Sequence, residues 1–199
     1  MRLGELKVEA LKLMFANGTS DVAIEDLDRS IYDERYADYL YAMTGAINRC
    51  LSELEERRVL PVRSLVLGDG GRYALDRIVS DFFDLERISC VLNGEYFPIC
   101  EYYREGDEII VKDYDDRAEY RAIYNPAIKR VFSYSDNMLE LDIPDRIACY
   151  IPYFIKGELF RVDEPDEAAE ARNWFEAAID GIKHREHGVQ LRVANVYEV

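Results

Sequence analysis

Along the first third of the chain, apolar residues recur every three or four positions. Leu3, Leu6, Ala10, Leu13 and Met14 mark one face of a helix over Leu3 to Phe15, and Asn17-Gly18 stops it. Ser20-Asp21 then caps a turn around Val22 to Leu27. Tyr36, Leu40, Met43, Ile47, Cys50, Leu51 and Leu54 form one continuous stripe. That stripe predicts a long helix from about Asp33 to Arg58, with Pro61 marking its end. Gly45 sits inside it at a cost of about 1 kcal/mol relative to alanine. Either a close approach by a neighbouring element or a kink at Thr44-Gly45 accounts for the glycine.

From Val62 to about Phe132 the period becomes two. Val62 to Leu67 reads as a strand, Gly68-Asp69-Gly70-Gly71 as a hairpin turn, and Arg72 to Leu75 as the start of the return. Asp81 to Leu85 reads as a short helical corner. Ile88 to Leu92 and Tyr96 to Tyr102 flank Asn93-Gly94, the strongest two-residue hairpin signal. A turn there pairs Leu92 with Glu95 and Cys90 with Phe97. Ile109 to Lys112 and Glu119 to Tyr124 form a further hairpin around Asp113-Tyr114-Asp115-Asp116. Short connections favour antiparallel pairing. Many of the 15 tyrosines fall here, where pleated, half-buried surfaces suit them.

The last third returns to helical spacing. Ile143-Pro144 opens a helix with proline at its first position and Asp142 or Ile143 as cap. Its apolar face is Ile147, Tyr150, Ile151, Phe154, Ile155, Leu159 and Phe160, and Pro152 is expected to bend it. Asp163-Glu164-Pro165 starts a second helix, in which Ala168, Ala171, Trp174, Phe175, Ala178, Ile179 and Ile182 face back onto the first. The two make an antiparallel helical hairpin. From Gly188 to Val199 the pattern alternates through Val189, Leu191 and Val193, which reads as a strand with no partner inside the chain.

These elements place the chain in the α+β class. A helical bundle formed by the N- and C-terminal helices carries an inserted antiparallel β sub-domain. All 199 residues make one domain, with the helical part at 1–60 and 142–187, the β insertion at 61–135, and an extended tail at 188–199.

Composition adds a statement about partners. Hydrophobic residues are 49% and charged residues 33%, a globular balance. No apolar run approaches the roughly 20 residues of a membrane-spanning helix, and the charged amino terminus lacks a signal-peptide core. A soluble protein made in the cytosol is expected. Lys and Arg number 25 against 40 Asp and Glu, a net charge of −15. Tight binding to a nucleic-acid backbone or to an anionic membrane needs the opposite balance. Such a surface keeps a protein soluble and repels DNA.

Candidate chemistry is sparse. Cys50, Cys90, Cys100 and Cys149 form no C-x-x-C pair, which argues against a zinc ribbon or thioredoxin-type site. In a regular hairpin at Asn93-Gly94, Cys100 lies on the opposite sheet face from Cys90, so these two are not expected to bridge. All four cysteines read as reduced. Gly68-Asp69-Gly70-Gly71 precedes a strand rather than a helix, which leaves no helix terminus for a phosphate. If Asp113 opens a calcium loop, Ala118 stands at position 6, where glycine is required, and Tyr124 at position 12, where glutamate is required. His184 and His187 could share a helix face as metal ligands, but no third ligand is evident, and two cations suit a helix carboxyl end. There is no G-x-S-x-G, and a Cys–His nucleophile pair stays open. No catalytic residue, cofactor site or metal site is therefore assigned.

Three stretches carry a family resemblance. They are Tyr39 to Leu51, with Met43-Thr44-Gly45-Ala46-Ile47; Asp81 to Ile88, followed by Asn93-Gly94-Glu95-Tyr96; and Leu141-Asp142-Ile143-Pro144-Asp145-Arg146-Ile147, leading into Asp163-Glu164-Pro165-Asp166-Glu167-Ala168. The arrangement resembles the head–tail connector, or neck adaptor, proteins of tailed bacteriophages and prophages, above all the short-tailed-phage versions, whose helical body carries a β insertion. The resemblance implies a structural virion protein of the neck, made in the host bacterial cytoplasm. It implies a homo-oligomeric ring, usually a dodecamer, beneath the portal, with DNA passing through. The portal protein and the tail or neck proteins would be its partners, and neither catalysis nor a cofactor nor a membrane is implied. An unpaired strand-like tail could add to an edge on a neighbour or on the portal, with Val189, Leu191, Val193 and Val196 as partner-binding residues.

Two other classes are weighed against it. An acidic cytosolic binding module, a regulator or DNA mimic, would hold a basic protein in a salt-sensitive complex. A small enzyme would show convergent polar groups in a pocket.

Overall fold

A computed structural model describes residues 1–15, 23, 24, 27, 34–132 and 135–194, the side chains of 34, 35 and 183–194 excepted. It has two compact units, Met1–Val59 with Lys129–Val199, and Leu60–Ile128. The first is helical and the second an antiparallel β unit, an α+β chain in which the middle segment is inserted between two halves of the helical unit. The β unit closes at Ile128, and residues 129–135 belong with the helices.

In the helical unit, α1 (Leu3–Met14) and α2 (Glu34–Glu56) follow the expected spacing. All seven stripe residues of α2, from Tyr36 to Leu54, are buried. On α1, Leu11 rather than Leu13 enters the core. The signals at Asn17-Gly18 and Ser20-Asp21 lie outside the described residues. Residues 137–141 strap the start of α1: Leu3 N–H donates to Leu139 O at 2.8 Å and Gly4 N–H to Asn137 O at 2.7 Å. Only glycine fits at position 4, because a Cβ there would lie 2.6 Å from Ile24 Cγ2 and 2.9 Å from Asn137 O.

The expected third helix is two. A short α3 (Leu75–Ile78) falls in the β unit; α4 (Asp145–Ala148) and α5 (Ile151–Leu159) follow in the helical one. Pro152 stands in the first turn of α5, where its missing N–H is an orphan anyway. It starts a helix rather than bending one. The last helix, α6, runs Pro165–Ala194. Phe154 meets Phe175 edge-on at 5.0 Å, and a Cβ on Gly157 would sit 3.2 Å from Ala168 O, so α5 and α6 run antiparallel. Ala168, Ala171, Phe175 and Ile179 line the buried face. Trp174 does not face back: it is 61% exposed, one residue off that stripe.

In the β unit, β1 (Arg63–Val66), β7 (Glu119–Pro126), β3 (Phe82–Leu92) and β4 (Glu95–Phe97) form one sheet in that order. β2 (Arg72–Tyr73), β6 (Glu108–Val111) and β5 (Tyr102–Glu105) form a second. Gly68–Gly71 is thus no hairpin turn: β1 pairs with β7 and β2 with β6. It is a corner at which the chain changes sheets, and φ values of +116° at Gly70 and +70° at Gly71 permit the bend.

Residues 82–85, expected as a helical corner, begin β3. Register shifts between Phe82 and Asp84 and between Leu85 and Arg87 insert extra residues. They bury Leu85 and Ile88 three apart and so imitate a helical period. The core draws on both sheets through Leu67, Tyr73, Leu85, Ile88, Cys90, Ile109, Val111, Tyr120 and Ala122.

Candidate interaction surfaces

The tail expected to add as a strand is helical through Ala194. Val189, Leu191 and Val193 lie on α6, and Val196 falls outside the described residues. A three-residue alternation is a weak strand signal beside a helix already nucleated, in which each further residue adds a hydrogen bond at little cost. Gly188 opposes extension by only about 1 kcal/mol. At 3.6 residues per turn an alternation of two no longer marks one face. His184 and His187 lie well inside the same helix, so a carboxyl-terminal dipole does not explain them.

The acidic turn after β6 is held by its own arginine. Arg117 Nε and Nη2 reach Asp115 Oδ1 and Oδ2 at 2.9 and 2.6 Å. Those bonds hold the Asp115 carboxyl down to about 2. Tyr114 stacks on Tyr120 at 5.2 Å and its hydroxyl accepts from Gly70 N–H at 3.1 Å, closing the corner. Among the described residues no group of three or more His, Cys, Asp or Glu is placed to hold a metal ion.

In the helical unit an open groove of about 500 Å³ is lined by Arg49, Ser52, Glu53, Glu56, Arg57 and Arg172. Each guanidinium already has a carboxylate: Arg49 with Glu158 at 2.8 Å, Arg57 with Glu53 at 2.7 Å, and Arg172 with Glu53 at 2.5 Å. The groove is a lattice that joins α2 to α6, with its arginines matched internally.

Asn93-Gly94 turns as expected, setting Leu92 opposite Glu95 and Cys90 opposite Phe97. Beyond Phe97 the expectation fails. A regular strand would place Ile99 opposite Ile88, yet Cys100 N–H donates to Ile88 O at 2.7 Å. One extra residue has entered at Pro98-Ile99. That slip turns Cys100 onto the face of Ile88 and Cys90. The Cys100 thiol packs against the same core, to which the Cys90 thiol belongs. Burial first, then that neighbour, push Cys100 up to about 12. Pro98 was the available signal, since a proline inside a strand marks an edge or a bulge. Cys50 is buried and held well above its ordinary range by desolvation, and Cys149 is exposed.

Exposed apolar groups occur on both units, and two sets stand out among them. On the edge strand β4 and just after it, Tyr96, Phe97 and Ile99 face outward. On α6, Trp174 stands among exposed Ala169, Asn173 and Ala177. No helix among the described residues is long and apolar enough to cross a membrane. No known family model matches the chain, and no curated protein sequence matches it.

Proposed function

We propose that this protein is structural, a head–tail connector of the neck of a tailed bacteriophage. In this reading it assembles as a ring beneath the portal, touches the portal and the tail or neck proteins, and lets DNA pass without acting on it. The observation that carries the reading is the chain's organisation. A helical unit made of residues 1–59 and 129–199 receives an antiparallel β unit of residues 60–128 as an insertion. That is the plan the resemblance implies.

The net charge of −15 supports it, because an acidic lumen repels phosphate and keeps DNA from adhering during passage. The internally matched arginines of the α2–α6 groove support it as well: guanidiniums held by carboxylates offer little to a polyanion.

The test is to mix the purified protein with the portal protein encoded in the same genome and image the product by electron microscopy. A ring of this protein seated on one face of the portal is the expected result. Failure to associate overturns the reading. Capture instead of a basic DNA-binding protein, released by high salt, would establish the acidic binding module in its place.

A further inference from the structure

The β unit holds two thiols together that belong to different turns of the chain. Cys90 lies in the interior of β3, opposite Phe97. Cys100 sits past the bulge and is tied by its own N–H to Ile88 O at 2.7 Å. Ile88 and Cys90 are two apart on one strand and both buried, so they share a sheet face, and Cys100 joins that face. Its thiol is half-buried, against the buried Cys90. Both thiols are reduced as the chain stands. The segment between them contains edge strand β4 and Pro98, and it leads directly to the corner where the chain passes from one sheet to the other. Glu101 O already accepts from the N–H of Lys112, the residue after β6 of the second sheet, at 2.9 Å.

We propose that Cys90 and Cys100 form a reversible redox site, which closes to a disulfide when the protein meets a peroxide. The more accessible Cys100 reacts first. Its thiolate attacks one peroxide oxygen, the O–O bond breaks, and the leaving hydroxide departs as water with the thiol's proton. Cys100 is then a sulfenic acid. The Cys90 sulfur attacks the sulfenic sulfur, the S–O bond breaks, and the hydroxyl leaves as a second water with the Cys90 proton. Two electrons pass from the sulfur pair to the peroxide. An added dithiol reverses the step by exchange. Because burial and the adjacent thiol hold Cys100 up to about 12, its thiolate is scarce at neutral pH. Closure is therefore slow there and quickens as the pH rises. The bond clasps the edge of the first sheet at its corner. This inference stands on the β unit alone and is independent of any role in a phage neck.

The experiment uses the full chain, native, treated with hydrogen peroxide at pH 8 and quenched with N-ethylmaleimide in denaturant. Arg87 and Arg104 bracket both cysteines, so trypsin releases them in one peptide, 88–104. The expected product is that peptide lighter by two hydrogens, carrying no label, and restored to two labels by dithiothreitol. Cys100→Ser, at the more exposed of the two positions, is expected to abolish the mass loss and leave Cys90 labelled. The exposed Cys149 serves as an internal gauge of oxidant. A peptide that keeps both labels while Cys149 is oxidised overturns the proposal. So does a Cys100 sulfinic acid beside a labelled Cys90.

Discussion

The Arg172 guanidinium lies 4.3 Å from the centre of the Phe154 ring while its Nη2 sits 2.7 and 2.5 Å from the two carboxylate oxygens of Glu53. One side chain of α6 thereby ties down a ring on α5 and an acid on α2. The ring shields one face of the guanidinium from water, which strengthens its bond to the carboxylate. Arg172→Ala is expected to destabilise the protein by about 2 kcal/mol through lost packing and lost charge pairing together. Arg172→Lys should recover only part, since an ammonium neither spans the two oxygens nor lies flat on the ring. Urea denaturation with an unchanged m-value is the check.

Two glycines on helices should respond in opposite directions. A Cβ on Gly45 meets only the guanidinium tip of Arg49, at 3.5 Å, an ordinary van der Waals contact, and α2 runs through it without a break. Neither a close neighbour nor a kink explains this glycine, so Gly45→Ala should stabilise by about 0.5–1 kcal/mol. A Cβ on Gly157 meets Ala168 O at 3.2 Å and the Arg172 backbone at 3.4 Å. Gly157→Ala should force α5 and α6 apart and destabilise by about 1–3 kcal/mol. Thermal melts of the pair decide it, and equal shifts in one direction would refute the packing argument.

Asn48 acts as a piece of backbone. Its Nδ2 donates to Val131 O at 2.8 Å and its Oδ1 accepts from Val131 N–H at 3.0 Å. Both polar groups of a buried residue in the segment leading out of the β unit are satisfied by one amide. Asn48→Leu should cost about 2–3 kcal/mol, because it strands a buried donor and acceptor. Hydrogen exchange at the Val131 amide should accelerate in the same variant.

The acid limb of stability should include Asp115. Its pKa is lowered, first by the Arg117 side-chain bonds and then by the Arg117 N–H, to about 2. A depressed carboxyl contributes stability that is full above its unfolded value of 3.8 and is lost as pH falls through about 2. A carboxyl-carbon NMR titration should place the Asp115 midpoint near 2, and Arg117→Ala should move it back toward 3.8. An unmoved midpoint in that variant would remove the arginine as its cause.

Much of this fold can be read from local pattern. The α2 stripe from Tyr36 to Leu54 is buried residue for residue, Pro165 opens α6, and Asn93-Gly94 sets Leu92 against Glu95. Each rests on a short-range rule: a helical repeat, a proline suited to a first turn, a turn that needs positive φ. Asn93 and Gly94 do adopt φ of +52° and +84°. Two of the misreadings share one cause. Two extra residues at 82–88, and one at 98–100, shift which side chains face inward. In the first place that imitated a helix; in the second it put Cys100 beside Cys90 against expectation. The candidate surfaces were less legible still. Trp174, on the face the spacing predicts to be buried, stands exposed, and the tail through Ala194 is helical.

By itself, then, the order of residues determined the class of most stretches, the α+β alternation and the strong negative charge, because these depend on composition and on neighbours within a turn or a hairpin. Which strand pairs with which was decided only in three dimensions. β1 and β2 flank a four-residue corner with three glycines, yet they join different sheets, because each completes a core assembled from residues more than thirty positions away, such as Leu67 with Tyr120 and Tyr73 with Ile109. Burial of apolar surface is blind to sequence distance, and a pleat that repeats every two residues lets one inserted residue reverse a face. Those two facts moved Cys100 to the inside; the local signal, Pro98, marks a break in the strand without saying which face follows it.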